Sequence, residues 1–139
     1  MWPQMVFLVI AIIAIALLAL VAMVLGGKHR HAFDKQEYQT RWLKIENGLD
    51  QDDPRSYNFS ILEADKLLDR ALNEMGVPGK SMGDKLKKLG ERMPNLQDVW
   101  HAHKLRNQIV HESDFSVSYN QARHALTIFR QALKNLGAI

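Results

Sequence analysis

Apolar residues follow two different patterns along this chain. From Val6 to Leu25, about 20 consecutive positions carry no charge, and at 1.5 Å per residue a helix of that length crosses roughly 30 Å of hydrocarbon. Beyond this run, apolar residues recur every three or four positions, and no segment shows the alternation that favours a β-strand. The pattern predicts an all-α protein, with a single N-terminal transmembrane helix followed by a small antiparallel helical bundle.

Capping signals divide the polar part of the chain into helices. Asp53 followed by Pro54 is typical of a helix start, and Gly76 is expected to end the long helix that follows. Two further helices begin with capping-box patterns, Ser81 with Asp84 and Ser118 with Gln121. The predicted domains are residues 1–27 as a transmembrane anchor, 28–52 as a juxtamembrane helix or linker, and 53–139 as the helical bundle.

Residues 6–25 are expected to contact the lipid bilayer. A cleaved signal sequence is the alternative, but the basic leading region is missing, the apolar run is long, and no small-x-small cleavage site precedes the two glycines that follow. Basic residues and histidines crowd the C-terminal end of the run, namely Lys28, His29, Arg30, His31 and Lys35. The positive-inside rule then predicts a single-pass protein of the cell membrane, with its N-terminus outside and its C-terminal domain cytoplasmic.

The charge excess lies close to the membrane segment. The chain has 18 Lys and Arg against 15 Asp and Glu, but Lys28 and Arg30 account for most of the difference. The region from Ala32 onward is therefore nearly neutral, which argues against a polybasic nucleic-acid binder. One stretch is locally basic and is interpreted either as a solvated helix face or as the flank of an anionic ligand: Lys80, Lys85, Lys87, Lys88 and Arg92.

The most informative stretch lies on a helix predicted from about Leu96 to Glu112. On such a helix Asn107 and His111 are one turn apart, Arg106 is beside Asn107, and His103 lies one turn earlier. This face presents a guanidinium, an amide and imidazoles toward one region and is expected to face outward or toward a partner, while the apolar face of the same helix packs into the core. Such a face has the groups that bind and cleave a phosphodiester.

The arrangement Trp100-x-x-His103-x-x-Arg106-Asn107-x-x-x-His111, preceded by a helix containing residues 61–68, resembles a HEPN domain. The mark of that family is an arginine followed after four to six residues by a histidine, with a polar residue commonly next to the arginine. Here the interval is four and the polar residue is Asn107. The resemblance covers residues 53–139. It implies a helical bundle that forms a homodimer through the motif helix and, in many members, cleaves RNA without a metal ion or other cofactor.

The resemblance implies a role for each motif residue. Arg106 would bind the scissile phosphate, and His111 would take the ribose 2′-hydroxyl proton or protonate the leaving 5′-oxygen. Asn107 would hold the phosphate or orient the histidine. Such cleavage leaves 2′,3′-cyclic phosphate ends and spares DNA. Three further residues of the helix are expected to contact the substrate: Trp100, His103 and Lys104.

Other interpretations of the same residues remain open. Arg106 can pair with Asp98 or Glu112 on the helix surface, and His111 gains from the helix dipole without any catalytic duty. The chain is then a non-catalytic, membrane-tethered module that binds a nucleotide or a partner protein, or a structural anchor that recruits another membrane protein. Trp100 suits a core or dimer interface as well as stacking on a base.

The histidines do not predict a metal site. His101 and His103 are two positions apart on a helix and therefore point about 200° away from each other. The chain has no cysteine, and no carboxylate is spaced to complete a ligand set.

Overall fold

A computed structural model describes residues 2–25 and 31–139, and within these ranges the chain has six α-helices and no β-strand. The all-α prediction is confirmed. The helices are α1 (Trp2–Leu25), α2 (Lys35–Gly48), α3 (Pro54–Glu74), α4 (Met82–Leu89), α5 (Leu96–His111) and α6 (Tyr119–Leu136), with a 3₁₀ turn at Gly90–Arg92 between α4 and α5.

Helix α1 is long and apolar enough to span a membrane. It has 24 residues without an acidic or basic side chain, and the side chains of residues 2–24 are exposed. A signal sequence near an N-terminus can have the same length and hydropathy. Several members of the predicted basic cluster, Lys28, His29 and Arg30, lie outside the described residues together with the two preceding glycines.

Residues 32–139 form a second compact unit, built around α3. Helix α3 packs mainly against α6 and also against α2 and α5. Its apolar stripe of Ile61, Leu68 and Leu72 is fully buried, as are Phe129 and Leu133 of α6. Burying large aliphatic and aromatic side chains is the main stabilising contribution in a bundle of this size.

Helix α2 belongs to this bundle. Tyr38 and Trp42 lie in its core, and Glu37 joins α2 to α3 through an ion pair of 2.9 Å with Arg70 Nη1. Glu37 Oε1 also accepts a hydrogen bond of 3.0 Å from Arg41 Nε. The hydrogen bonds from Arg70 and Arg41 hold the pKa of Glu37 below its ordinary value.

The boundary predicted at residue 53 therefore does not separate two compact units. Residues 28–52 were expected to be a juxtamembrane helix or linker outside the bundle, whereas the compact unit begins at Ala32. The physical reason is the apolar face of α2, which finds its burial partner on α3. A juxtamembrane helix was predicted, but the surface of α3 against which Tyr38, Trp42 and Ile45 pack was not.

The helix starts follow the capping chemistry. The Asp53 carboxylate accepts a hydrogen bond of 3.1 Å from the Arg55 backbone N–H. Both capping boxes form at their predicted positions, Ser81 with Asp84 and Ser118 with Gln121. Asp84 accepts a backbone hydrogen bond of 3.2 Å from Ser81, and this box lowers the pKa of the Asp84 carboxyl.

A tight turn sets the position of α4 after α3. Gly79 has a φ of +150°, and a Cβ placed on it would lie 2.8 Å from Asp84 Cβ. Only glycine fits this conformation and this approach. The turn brings the start of α4 to α5, where it forms one wall of the candidate site.

Candidate functional site

Four of the six predicted site residues line a single groove of about 860 Å³. They are Trp100, His103, Arg106 and Asn107, all from α5. The other walls come from α3 and from the start of α4, which contribute Leu62, Glu63, Asp65, Lys66, Asp69, Lys80, Ser81, Met82, Gly83, Asp84 and Lys87, and Val110 completes the α5 side.

The predicted outward-facing polar stripe of α5 is buried at His103. This side chain is 7% exposed, and it faces Asp65 of α3, which is 3% exposed. The His103 Nδ1 and Asp65 Oδ1 atoms are 2.8 Å apart, within hydrogen-bond distance. The expectation that the whole stripe faces outward or toward a partner is therefore wrong at this position, because a buried carboxylate on α3 gives the imidazole a partner.

Asn107 connects His103 to Arg106. Arg106 Nη1 donates a hydrogen bond of 3.0 Å to Asn107 Oδ1, and Asn107 Nδ2 lies 3.3 Å from His103 Nε2. The Arg106 Nε atom in turn lies 3.5 Å from Asp65 Oδ2. These four contacts form a closed ring, which we call the Asp65 ring: Asp65, His103, Asn107 and Arg106.

The proton positions in the Asp65 ring follow from the chemistry of its members. Arginine has only donors, so the Asn107 oxygen must face Arg106 and the Asn107 amide must face His103. The amide can donate only to an unprotonated Nε2, so the His103 proton is on Nδ1 and is donated to Asp65. The ring thus contains one carboxylate, one guanidinium and two neutral groups, and its formal charge is zero.

Arg106 has one hydrogen bond and one ion pair within the Asp65 ring, and part of its side chain is open to the groove. Its side chain is 34% exposed, and it lines the groove. The Nε atom is buried and has no hydrogen-bond partner among the described residues, although it pairs electrostatically with Asp65. The hydrogens on Nη2 are not used by the ring, and guanidinium N–H groups donate well to an oxyanion.

The partner of Arg106 was not anticipated. The predicted surface pairing with Asp98 or Glu112 is not the one found, since the carboxylate near Arg106 is Asp65. A signal for Asp65 exists in the sequence, because this acid interrupts the apolar stripe formed by Ile61, Ala64 and Leu68. An acid in such a position is rarely left without a partner when it is buried.

Trp100 forms part of the groove wall next to His103. The two ring centroids are 6.2 Å apart in an edge-on arrangement. Opposite the indole lies Gly83 of α4, where an added Cβ would be 3.4 Å from Trp100 Cη2. The half-buried indole thus packs against α4 with one edge and borders the groove with another part of its surface.

His111 and Lys104 lie outside the groove lining. Both side chains are exposed, and no hydrogen bond or ion pair joins either of them to the described residues. Five helical positions separate Arg106 from His111, so the two side chains leave α5 about 140° apart. A single chain therefore does not bring the predicted arginine and histidine of the motif together in this groove.

The basic stretch around α4 serves two different purposes. Lys80 and Lys87 line the groove, as does Lys66 of α3. Lys85 is instead buried, and its Nζ lies 2.6 Å from Asp69 Oδ1. The interpretation of this stretch as a solvated face or ligand flank is therefore wrong for Lys85, which packs inward and pairs with an acid of α3.

Charges of both signs balance along the groove. Its basic residues are Lys66, Lys80, Lys87 and Arg106, and its acidic residues are Glu63, Asp65, Asp69 and Asp84. The lining of the groove therefore carries no net formal charge and produces no strong net field of either sign.

Comparison with known proteins adds no relative. The chain matches no protein-family model, no curated protein and no solved structure. Within residues 2–25 and 31–139, no group of three His, Cys, Asp or Glu side chains is placed to share a metal ion.

Proposed function

We propose that this protein is a membrane-anchored, HEPN-like endoribonuclease that cleaves RNA without a metal ion. The observation that carries the proposal is Arg106, a guanidinium that contacts Asp65 through Nε and Asn107 through Nη1 and leaves Nη2 for a ligand in the groove. A guanidinium N–H group donates to a phosphate oxygen and stabilises the charge that develops on it.

Cleavage requires two imidazoles in addition to this guanidinium, and a dimer supplies them. His111 of one chain is exposed and does not line its own groove. A homodimer formed through α5 brings the His111 side chains of both copies to the bound phosphodiester.

One neutral imidazole accepts the 2′-hydroxyl proton as the 2′-oxygen forms its bond to phosphorus. The other imidazole, which is protonated, donates its proton to the 5′-oxygen as the bond from phosphorus to that oxygen breaks. The products are a 2′,3′-cyclic phosphate and a 5′-hydroxyl.

The membrane part of the proposal rests on α1. Its length and its uniformly apolar composition support an uncleaved anchor that crosses the bilayer. The basic residues at positions 28–30 and the basic position Lys35 support an orientation with the C-terminal domain in the cytoplasm. In this arrangement the domain acts on RNA close to the membrane surface.

A non-catalytic binding module is the second candidate. The balanced charges of the groove and the distance of His111 from it favour this alternative. In that case Arg106 binds a phosphate of a nucleotide or of a partner, and no bond is broken.

Incubation of the full chain in detergent micelles with a mixed single-stranded RNA in EDTA tests the two candidates. We expect wild type to generate 2′,3′-cyclic phosphate ends and to spare DNA and 2′-O-methyl RNA. Arg106→Ala and His111→Gln should each lower the rate at least about a hundredfold, as loss of a phosphate-stabilising donor or a general acid–base group does.

The controls are Arg130→Ala and His124→Gln, which change exposed residues of α6 outside the groove. Both should keep the wild-type rate. If folded, dimeric wild type binds RNA through Arg106 but leaves every RNA intact, the ribonuclease proposal is refuted and the binding module stands.

A further inference from the structure

The Asp65 ring points to a role in cleavage for Asp65 and His103, two residues that are not part of the arginine–histidine motif. Asp65 lies at its centre, since one carboxylate oxygen is 2.8 Å from His103 Nδ1 and the other is 3.5 Å from Arg106 Nε. Asp65 is also connected to Arg106 along the other side of the ring, because His103 contacts Asn107 and Asn107 accepts a hydrogen bond from Arg106 Nη1.

We propose that Asp65 and His103 are positioning residues that fix the guanidinium of Arg106 for phosphate binding, with His103 acting as a neutral imidazole protonated on Nδ1. This inference rests on the proposed function, in which Arg106 binds the phosphate of RNA. His103 acts through Asn107 and does not itself exchange a proton with the substrate.

The geometry explains why a ring is needed. Arginine has many rotamers, and holding it in one of them costs conformational entropy that the ligand must otherwise offset. Asp65 is 3% exposed and His103 is 7% exposed, so both are held by packing. A guanidinium connected to them at two points is already oriented before the phosphate arrives.

The direction of every hydrogen bond in the ring depends on His103 being an acceptor at Nε2. If Nε2 carried a proton, it would face the Asn107 amide donor, and a reversed amide would then face the donors of Arg106. Either arrangement places two donors against each other and breaks the connection. The neutral Nδ1–H tautomer is the one form of the imidazole that is compatible with both the Asp65 contact and the Asn107 contact.

Binding of a short 2′-O-methyl oligoribonucleotide to the full chain in micelles tests the positioning role, because this probe has no 2′-hydroxyl proton and stays uncleaved. His103→Asn retains a donor near the Nδ1 position for Asp65 but removes the Nε2 acceptor. We expect it to weaken binding about tenfold, the loss expected for one misplaced charge-assisted contact. His101→Asn, a change of an exposed histidine two positions away, should leave the affinity unchanged.

Asn107→Leu is the second variant, since it leaves the contact between Asp65 and His103 in place and removes the connection from His103 to Arg106 together with the Asn107 amide of the groove. It should weaken binding to a similar extent. In an Arg106→Ala background, His103→Asn should have no further effect, because His103 acts through that arginine. Equal additional loss in this background would indicate a general structural role and would overturn the inference.

The ¹⁵N spectrum of the histidine-labelled chain gives a readout that does not depend on RNA. We expect His103 to carry its proton on Nδ1 in wild type and to present Nε2 as an unprotonated acceptor to Asn107. A wild-type His103 that carries a proton on Nε2 overturns the inference whatever the RNA result.

The two hypotheses fail in different ways. If wild type binds RNA and His103→Asn and Asn107→Leu bind it equally well, the positioning inference fails alone. If wild type binds no RNA, the proposed function fails and the inference falls with it.

Discussion

Removing the Asp65 carboxylate should destabilise the bundle more than removing either charge of an exposed ion pair. Asp65→Ala leaves the His103 Nδ1–H without an acceptor in a site where Asp65 is only 3% exposed. A hydrogen bond to a charged group contributes about 1.5–3 kcal/mol. The lost pairing with Arg106, which is 34% exposed, adds at most about 1 kcal/mol because solvent screens it. We therefore expect a loss of about 3 kcal/mol in the free energy of unfolding.

Three matched variants separate these contributions. Asp65→Asn keeps an acceptor for His103 and should cost about 1 kcal/mol, which corresponds to the lost charge. Arg106→Ala should also cost about 1 kcal/mol, since its side chain reaches solvent. The double variant Asp65→Leu with His103→Leu replaces both polar partners by apolar groups and should be more stable than Asp65→Ala.

Urea unfolding of the full chain in detergent micelles, followed by the fluorescence of Trp42 and Trp100, gives the free energies by linear extrapolation. Trp2 lies in α1, which detergent keeps helical, and contributes a constant background. If Asp65→Ala costs less than about 1 kcal/mol, or if Arg106→Ala costs as much as Asp65→Ala, the buried contact between Asp65 and His103 is not the main contribution.

Three other changes probe the fold around the groove. Gly79→Ala should lower the free energy of unfolding by roughly 1–3 kcal/mol, because its φ is +150° and the new Cβ would lie 2.8 Å from a neighbouring side chain. Gly48→Ala, with no atom within 4 Å of the added Cβ, should cost nothing in the same urea titration, and equal losses for the two variants would contradict this expectation. Asp69→Asn should cost about 2–3 kcal/mol because it leaves the Lys85 charge unpaired on a side chain that is 6% exposed, whereas Lys85→Met should cost less than about 1 kcal/mol because Asp69 is 34% exposed. The reverse order in thermal unfolding would show that the lysine reaches water. Glu37→Gln should lower stability at neutral pH and match wild type in acid, because two arginines depress the pKa of this carboxyl and its stabilisation is lost as the pH falls through its pKa in the folded protein. Parallel curves of stability against pH for the two proteins across the acid range would exclude such a contribution.

The helix ends could be predicted from the sequence because their signals are local. A capping side chain contacts backbone groups two or three residues away, as Asp53, Ser81 and Ser118 do. Gly76 adopts a φ of +74° just after α3, where a left-handed residue commonly ends a helix. None of these features depends on how the helices pack.

The composition of the site could be predicted only in part. The α5 spacing correctly placed Arg106 and Asn107 side by side, and with Trp100 and His103 they line one groove. The Asp65 contact joins residues 38 positions apart and depends on the register between α3 and α5. The apolar stripe of each helix can be identified from a single sequence, but the relative rotation and register of two packed helices cannot.

The same limit explains Lys85 and α2. A lysine in a basic stretch is usually solvated, and only the position of α4 over α3 brings its Nζ to within 2.6 Å of Asp69. Helix α2 was predicted as a juxtamembrane helix or linker, yet its place in the core follows from its packing against α3. Local propensity identifies an element, whereas tertiary contacts determine the unit to which the element belongs.

The balance of charge gives the Asp65 ring its importance for the proposed activity. From Ala32 onward the chain is nearly neutral, and the groove has as many acids as bases. A nucleic acid is therefore not drawn to this surface by a strong field, in contrast to proteins that neutralise many phosphates at once. In the proposed activity affinity comes from a few directed donors. Arg106 pairs with the buried Asp65 and donates a hydrogen bond to Asn107, which in turn contacts the buried His103. A protein that recognises phosphate in this way depends on Asp65 and His103 for orientation as much as on Arg106 for charge.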